Sequence, residues 1–312
     1  MSSGRAMSWL VVCLCLFGAA ASGAAAFPLT ITDDGANPVT IPAKPQRIVS
    51  LTLFTDEILY ELVEPGRLAA VTTFAADAEI SNVASRVAAI PARLTLSVEP
   101  VLALRPDVVF VSNWSEADKI AQLRDAGVAV YLVASGLTAV DIQAKIRAVS
   151  RIVGETEKGE KLVAAMIARI ADVKKRVARI ADDRRLSVVD YAVGGSAQGR
   201  GSSWDEIVRA AGLVNAAGVF TADQYGQVPL SKEKLLELDP DILILPGWVY
   251  GDPRGADAFF TQTVEDPALK SMKAVQARRV YKMPERLKST VSHYVADAVE
   301  YLARTAYPEL FR

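Results

Sequence analysis

Three features of the sequence predict an α/β protein of two lobes with parallel sheets, joined by a single long α-helix. Short β-rich runs alternate with helical patterns, a long amphipathic segment lies in the middle, and a motif recurs once on each side of it. The chain has 312 residues, 51% of them hydrophobic. That length suits two domains or one large one, with ample apolar material for real cores. Basic and acidic side chains number 35 and 36. So even a balance excludes a disordered polyelectrolyte and argues against a protein that grips nucleic acid. His293 is the single histidine, which leaves no multi-histidine metal centre and ties any Ser/His or Cys/His pair to one residue.

Residues 1–26 read as a cleavable secretory signal peptide. Arg5 gives a positive start, 9–21 is apolar and uncharged, and Ala24, Ala25 and Ala26 are small residues suited to cleavage after Ala26. The apolar run is too short for a membrane span. Both cysteines, Cys13 and Cys15, fall inside it. Neither is placed for lipidation, and the exported chain is expected to hold no disulfide.

A hairpin signal follows. Residues 29–32 alternate, Asp33-Asp34-Gly35 can turn, and 39–41 return. The rhythm then becomes strand 47–51, helix 56–63, strand 68–72, helix 99–104, strand 108–112, helix 117–126 and strand 128–133. The strands are nearly all apolar, as in parallel sheets covered on both faces. From 155 to 182 the apolar residues step by three and four, from Leu162 and Val163 through Met166, Ile170 and Val173 to Val177 and Ile180. This predicts one helix on the order of 40 Å long. After it the rhythm restarts, with strands at 186–193, 242–245 and 279–283 and helices at 204–211 and 231–238. The expected organisation is an N-terminal lobe at 27–153, a linking helix at 154–183 and a C-terminal lobe at 184–312.

The halves share sequence as well as rhythm. Glu99 and Glu233 each stand seven residues before a Pro-Asp pair, Pro106-Asp107 and Pro240-Asp241, and each pair opens a four-residue apolar strand. Asp56-Glu57-Ile58 and Asp205-Glu206-Ile207 each open a helix after the first strand of a half. Their matching order predicts an internal duplication.

Ligands of open α/β sheets sit beyond the carboxyl ends of the strands. Trp114, Trp204 and Trp248 all fall just past predicted strands, with Tyr250 beside Trp248, and Phe54 and Phe74 hold similar places in the first half. Rings at such positions form an aromatic cleft for a large, partly apolar ligand, or else pack locally. Arg200 and Arg286 reach comparable loops, where each is either an oxyanion contact or a solvated side chain. Enzyme motifs are missing. The run 194–201 lacks the Lys and the Ser or Thr of a phosphate loop, no Gly-x-Ser-x-Gly occurs, and His293 lies in a helical stretch as a structural residue. We therefore expect a binding protein, not an enzyme. Ser97 and Ser231 precede Glu99 and Glu233 by two and can cap the following helices. Each Glu then stabilises a helix start, presents a matched acid to a basic partner, or does both.

The hairpin followed by Pro45-Gln46-Arg47-Ile48-Val49-Ser50-Leu51, the paired Glu…Leu-x-Pro-Asp units and Ala211-Gly212-Leu213-Val214-Asn215 resemble periplasmic substrate-binding proteins of the vitamin B12 and iron–siderophore ABC importers. The resemblance runs over nearly the whole chain after residue 26. It implies two Rossmann-like lobes, a rigid helical linker, a cleft ligand and a monomer that delivers its cargo to an ABC permease dimer in the inner membrane. In that family the two lobe glutamates dock on permease arginines, and Glu99 and Glu233 match them. No intrinsic cofactor or metal site is expected. The cargo would be a cobalt or iron chelate, a corrinoid or a ferric siderophore, held by Phe54, Phe74, Trp114, Arg200, Trp204, Trp248, Tyr250 and Arg286. Haem-binding relatives use Tyr or His as axial ligand, which Tyr191, Tyr225 and Tyr250 keep open. The same scaffold would also serve a chelate-acting enzyme or a sensor.

Overall fold

In the computed structural model, which describes residues 26–134 and 138–312, the signal-peptide segment lies outside the described residues up to position 25. The chain opens on the expected hairpin, with β1 (Leu29–Thr32) antiparallel to β2 (Pro38–Ile41). The first lobe then runs β3 (Ile48–Ser50), α1 (Leu53–Leu62), β4 (Leu68–Thr72), β5 (Ala92–Leu94), α2 (Val98–Ala103), β6 (Val108–Ser112), α3 (Ala117–Asp125), β7 (Val130–Val133) and α4 (Ala139–Ile152). Its five strands are parallel, in the order β5-β4-β3-β6-β7.

The connecting helix α5 spans Thr156–Val177. It ends five residues before the expected 182, so its 22 residues reach about 33 Å. Lys174, Lys175 and Arg176 fill its last turn, where cations favour the negative end of the dipole.

The second lobe follows with β8 (Ser187–Asp190), β9 (Ser196–Gln198), α6 (Ser203–Ala210), β10 (Val214–Asn215), β11 (Gln227–Pro229), α7 (Lys232–Leu238), β12 (Ile242–Pro246), α8 (Gly255–Glu265), α9 (Lys273–Gln276), β13 (Val280–Met283), α10 (Glu285–Lys288) and α11 (Val295–Ala306). Its parallel sheet has the order β10-β8-β12-β13, and β9 pairs with β11 as a separate antiparallel ribbon. This order repeats β4-β3-β6-β7 of the first lobe.

The duplication extends to individual atoms. Asp107 accepts the backbone N–H groups of Gln46 and Arg47 at 2.7 and 2.8 Å, tying the start of β6 to the start of β3. Asp241 accepts the N–H and hydroxyl of Ser187 at 2.8 Å, tying β12 to β8 in the same way. Arg105 and Asp239, each just before the proline, take left-handed φ values of 46° and 40°. They end α2 and α7 alike, because the residue before proline is barred from continuing a helix.

Alternation along the strands sorts the core. Ile48, Val108 and Phe110 of the first lobe share one apolar cluster with Val188, Ile242 and Ile244 of the second, through Val163, Met166, Ile170, Val173 and Val177 of α5. The alternate residues face outward into separate clusters, Val49, Val109 and Val111 on one side and Val189, Leu243 and Leu245 on the other. One core therefore runs through both lobes beneath the cleft.

Two matched contacts cross between the lobes. Glu57 of α1 is buried and accepts the N–H and side-chain amide of Asn82 at 2.9 and 2.8 Å. It also accepts the hydroxyl of Ser292, just ahead of α11. Glu206 of α6, its counterpart in the repeat, accepts the N–H of Ala139 at the start of α4 at 2.9 Å. In each case the first helix of one lobe meets the start of the last helix of the other.

Helices α4 and α5 approach closely at Gly159, where an added Cβ would lie 2.2 Å from the Ser150 hydroxyl oxygen and 2.4 Å from its Cβ. Gly159→Ala should lower stability by about 1–3 kcal/mol through overpacking, read as a fall in the urea midpoint. Adding Ser150→Gly should restore most of it. An unchanged midpoint in the single variant would show that the helices separate freely.

Candidate functional site

The strands of the first lobe all end on one cavity of about 520 Å³. Leu51 and Thr52 follow β3 into it, Thr72 ends β4, Thr95 follows β5, Ser112 ends β6 and Val133 ends β7. Phe54 contributes from α1, held nearly buried, and Phe74 from the loop after β4, where it is exposed. Val291 reaches in from the second lobe. Such a mixture of apolar walls and a few hydroxyls is the usual make-up of a small-molecule site.

Trp114 stands at the mouth. Its ring, 60% exposed, meets the ring of Tyr225 with centroids 4.9 Å apart and planes tilted by 33°. Tyr225 belongs to the other lobe, in the turn just before β11, and is 53% exposed. Two half-exposed rings from different lobes thus close over the cleft. Asp223 fixes that turn by accepting the N–H groups of Tyr225 and Gln227 at 2.8 and 2.9 Å.

A second cavity, about 800 Å³, lies beyond the carboxyl ends of β12 and β13. Trp248 and Tyr250 line it, edge to face at 5.8 Å, with Lys282 and Asp257, while Asp77 and Glu79 enter from the first lobe. The loop carrying Phe74, Asp77 and Glu79 joins the two cavities.

Other expected positions differ. Trp204 is wholly buried in the core that both lobes share, so it is removed from the cleft. It is the second residue of α6, on the face carrying Ile207 and Val208. Arg200 lines neither cavity. It sits exposed in the loop before α6, its guanidinium 3.3 Å from the Thr221 hydroxyl. Arg286 also lines neither, and it is its backbone that bridges the lobes. Its N–H donates to the Glu79 carbonyl at 3.0 Å and its carbonyl accepts the Asn82 amide at 2.8 Å.

Glu99 and Glu233 are exposed in the first turns of α2 and α7. The Ser231 hydroxyl accepts the Lys234 N–H as a cap and holds the Glu233 carboxyl below its usual range. Ser97 makes no such cap. His293 precedes α11 instead of lying within it. Burial pushes it down to about 4, so it is neutral at neutral pH, with its ring centroid 4.1 Å from that of Tyr294 and the planes tilted by 37°. Among the described residues no group of three His, Cys, Asp or Glu side chains is placed to hold a metal, and no helix is long and apolar enough to cross a membrane.

A profile of the family described as "Periplasmic binding protein" matches residues 48–287. An uncharacterized ABC transporter substrate-binding lipoprotein of Bacillus subtilis, YvrC, is 28% identical over 92% of this chain and 88% of its own. The cobalamin-binding protein of Halobacterium salinarum is 28% identical over 72% of this chain, which spans 60% of that relative's length. The molybdate-bound structure of MolA from Haemophilus influenzae superposes with a TM-score of 0.73 at 22% identity, covering 91% of this chain and 92% of that one. It shows the fold.

Behind the first cavity, Thr72 donates its hydroxyl to Asp56 at 2.5 Å and its N–H at 3.2 Å. Burial raises the Asp56 carboxyl from 3.8 to about 7, against hydrogen bonds from Ser50 and Thr72 that pull it down. The folded chain keeps this proton where the unfolded chain has lost it. Its stabilising contribution is therefore full below about pH 4 and is lost as pH rises through about 7. Asp56→Asn has no such titration. Its stability relative to the native protein should rise between about pH 4.5 and pH 7.5, by at most about 4 kcal/mol. Urea midpoints at the two pH values check this, and a constant offset would show Asp56 ionised throughout.

Proposed function

The chain belongs to the periplasmic binding protein family, and from that premise we propose that it captures a metal chelate, a corrinoid or a ferric siderophore, between its lobes and delivers it to the permease of an ABC importer. The observation that carries this reading is the cavity at the strand ends, walled by Phe54 and Phe74 and closed across the cleft by Trp114 on Tyr225. Flat aromatic faces suit a large ligand with apolar surface, and scattered hydroxyls orient its polar rim. The metal arrives with the cargo.

Several roles follow from this reading. Phe54, Phe74, Trp114, Trp248 and Tyr250 bind the chelate, with Tyr225 added to the set expected from sequence. Glu99 and Glu233, at matching places in the repeat, dock on the permease. Export uses the segment 1–26, without a lipid on Cys13 or Cys15. Among the described residues no nucleophile, base and orienting group converge in either cavity, and on this reading the cargo is released unchanged. Because one core underlies both lobes, capture proceeds with small lobe closure, and the rings at the mouth do most of the moving.

Titration with cyanocobalamin, haemin and ferric siderophores, followed by tryptophan fluorescence, tests the assignment. One class should quench tightly at one-to-one stoichiometry. Trp114→Ala and Tyr225→Ala should each weaken that binding by roughly five- to thirtyfold, the range for losing an aromatic anchor. No response to any chelate would overturn the cargo assignment. Replacing Glu99 and Glu233 by Arg should abolish uptake in cells that depend on the protein while leaving chelate affinity within about twofold. Retained uptake would remove the docking role.

A further inference from the structure

We infer that the cargo carries no net negative charge: the cleft is built for an uncharged or cationic chelate and turns away oxyanions and chelates with free carboxylates or catecholates. This rests on the chelate reading above and narrows it.

The cleft's cations are already engaged. Lys119 is the basic side chain of the first cavity, and its ammonium lies 2.5 Å from the Glu116 carboxylate of the same wall. Lys282 is that of the second cavity, and it is paired with Asp257. Arg200 and Arg286, the two cations the sequence suggested for an anionic ligand, line neither cavity.

The carboxylates are in surplus. Asp77, Glu79 and Asp252 line the second cavity with no cation within ion-pair distance among the described residues. Asp77 and Asp252 are occupied only with backbone N–H groups of their own turns, those of Glu79 and Arg254, at 2.9 and 3.0 Å. At an effective dielectric near 20, like charges about 10 Å apart disfavour binding by roughly tenfold per pair at low salt, and by less as salt screens them. Several such pairs amount to selection against anions, by repulsion and not by shape. What the walls do offer is neutral, namely aromatic faces and the hydroxyls of Thr73, Thr95 and Ser97. These match a rim of amides or hydroxamates.

The test compares probes of different charge on the full chain by isothermal titration at low and moderate salt. Cyanocobalamin is uncharged overall, and ferrioxamine B is a ferric hydroxamate with a free ammonium. Haemin, a ferric tris-catecholate and molybdate are the anionic set. We expect at least one of the first two to bind one-to-one and every anion to bind at least tenfold more weakly. Asp77→Asn with Glu79→Gln should narrow that gap by at least threefold at low salt. Asp252→Asn, on the opposite lobe, should narrow it in the same direction. Haemin or the catecholate binding within tenfold of the best probe, or a gap unmoved in both variants, would overturn the inference while leaving the chelate reading intact, and molybdate as the tightest ligand would remove both. Failure of every probe would remove the chelate reading, and this inference with it.

Discussion

A buried carboxylate that belongs to one lobe and is hydrogen-bonded by the other sets the width of the cleft. Glu57 lies in α1, close to the end of β3, yet one of its oxygens accepts the hydroxyl of Ser292 beside α11. Burial raises its pKa, and the Ser292 and Asn82 donors oppose that shift. Removing the donors would leave a buried acceptor unsatisfied, which is costly in a site shut off from water. The lobes therefore cannot separate along this edge without losing Ser292 from a carboxyl that has no substitute. The same Asn82 amide holds the Arg286 carbonyl, and the Arg286 N–H holds the Glu79 carbonyl. The loop joining the two cavities is thus fixed by the contact that fixes the lobes. On the opposite edge Glu206 and Ala139 repeat the arrangement. Beneath both runs the shared core through α5, whose exposure any wide hinge motion would require.

Much of this frame was legible because it depends on short-range rules. Proline after an αL residue stops a helix wherever it falls, and an Asp beginning a buried strand can satisfy the backbone of its neighbour. The repeated Pro-Asp units therefore announced both lobes, and the strand order carries the same symmetry. The repeat Asp56-Glu57-Ile58 and Asp205-Glu206-Ile207 was visible too, but its meaning was not. That Glu57 and Glu206 each reach the other lobe depends on where α11 and α4 begin in space.

The errors have identifiable causes. Trp204 follows a Gly-rich loop after a strand, which suggested the cleft. The spacing Trp204, Ile207, Val208 is a buried helical face, and that periodicity was the better guide. The apolar pattern of α5 continues to Ile180, but the cations crowding residues 174–176 mark its true end. Arg286 was read for its side chain, while the fold uses its peptide. Tyr225 could not be placed from sequence, because its position depends on the pairing of β9 with β11, two three-residue strands too short to show a period.

The symmetry breaks where the site requires it to. At the end of β3 Ser50 shares its hydroxyl with Thr55 at 2.7 Å, a small neutral pair that leaves room for the cavity beyond. The register-equivalent residue of the second lobe is Asp190, at the end of β8. It is buried and lies 3.2 Å from the ammonium of Lys288 on α10, itself buried. A buried ion pair of this kind contributes little net stability, since desolvation offsets most of the attraction, but losing either member strands a charge. It therefore holds α10 over the end of β8 and fills in the second lobe the space that the first leaves open. One duplicated frame is thus open at the end of β3 and filled at the end of β8. The cargo is expected to sit deep against the first lobe, with the second supplying Tyr225, Trp248 and the rim.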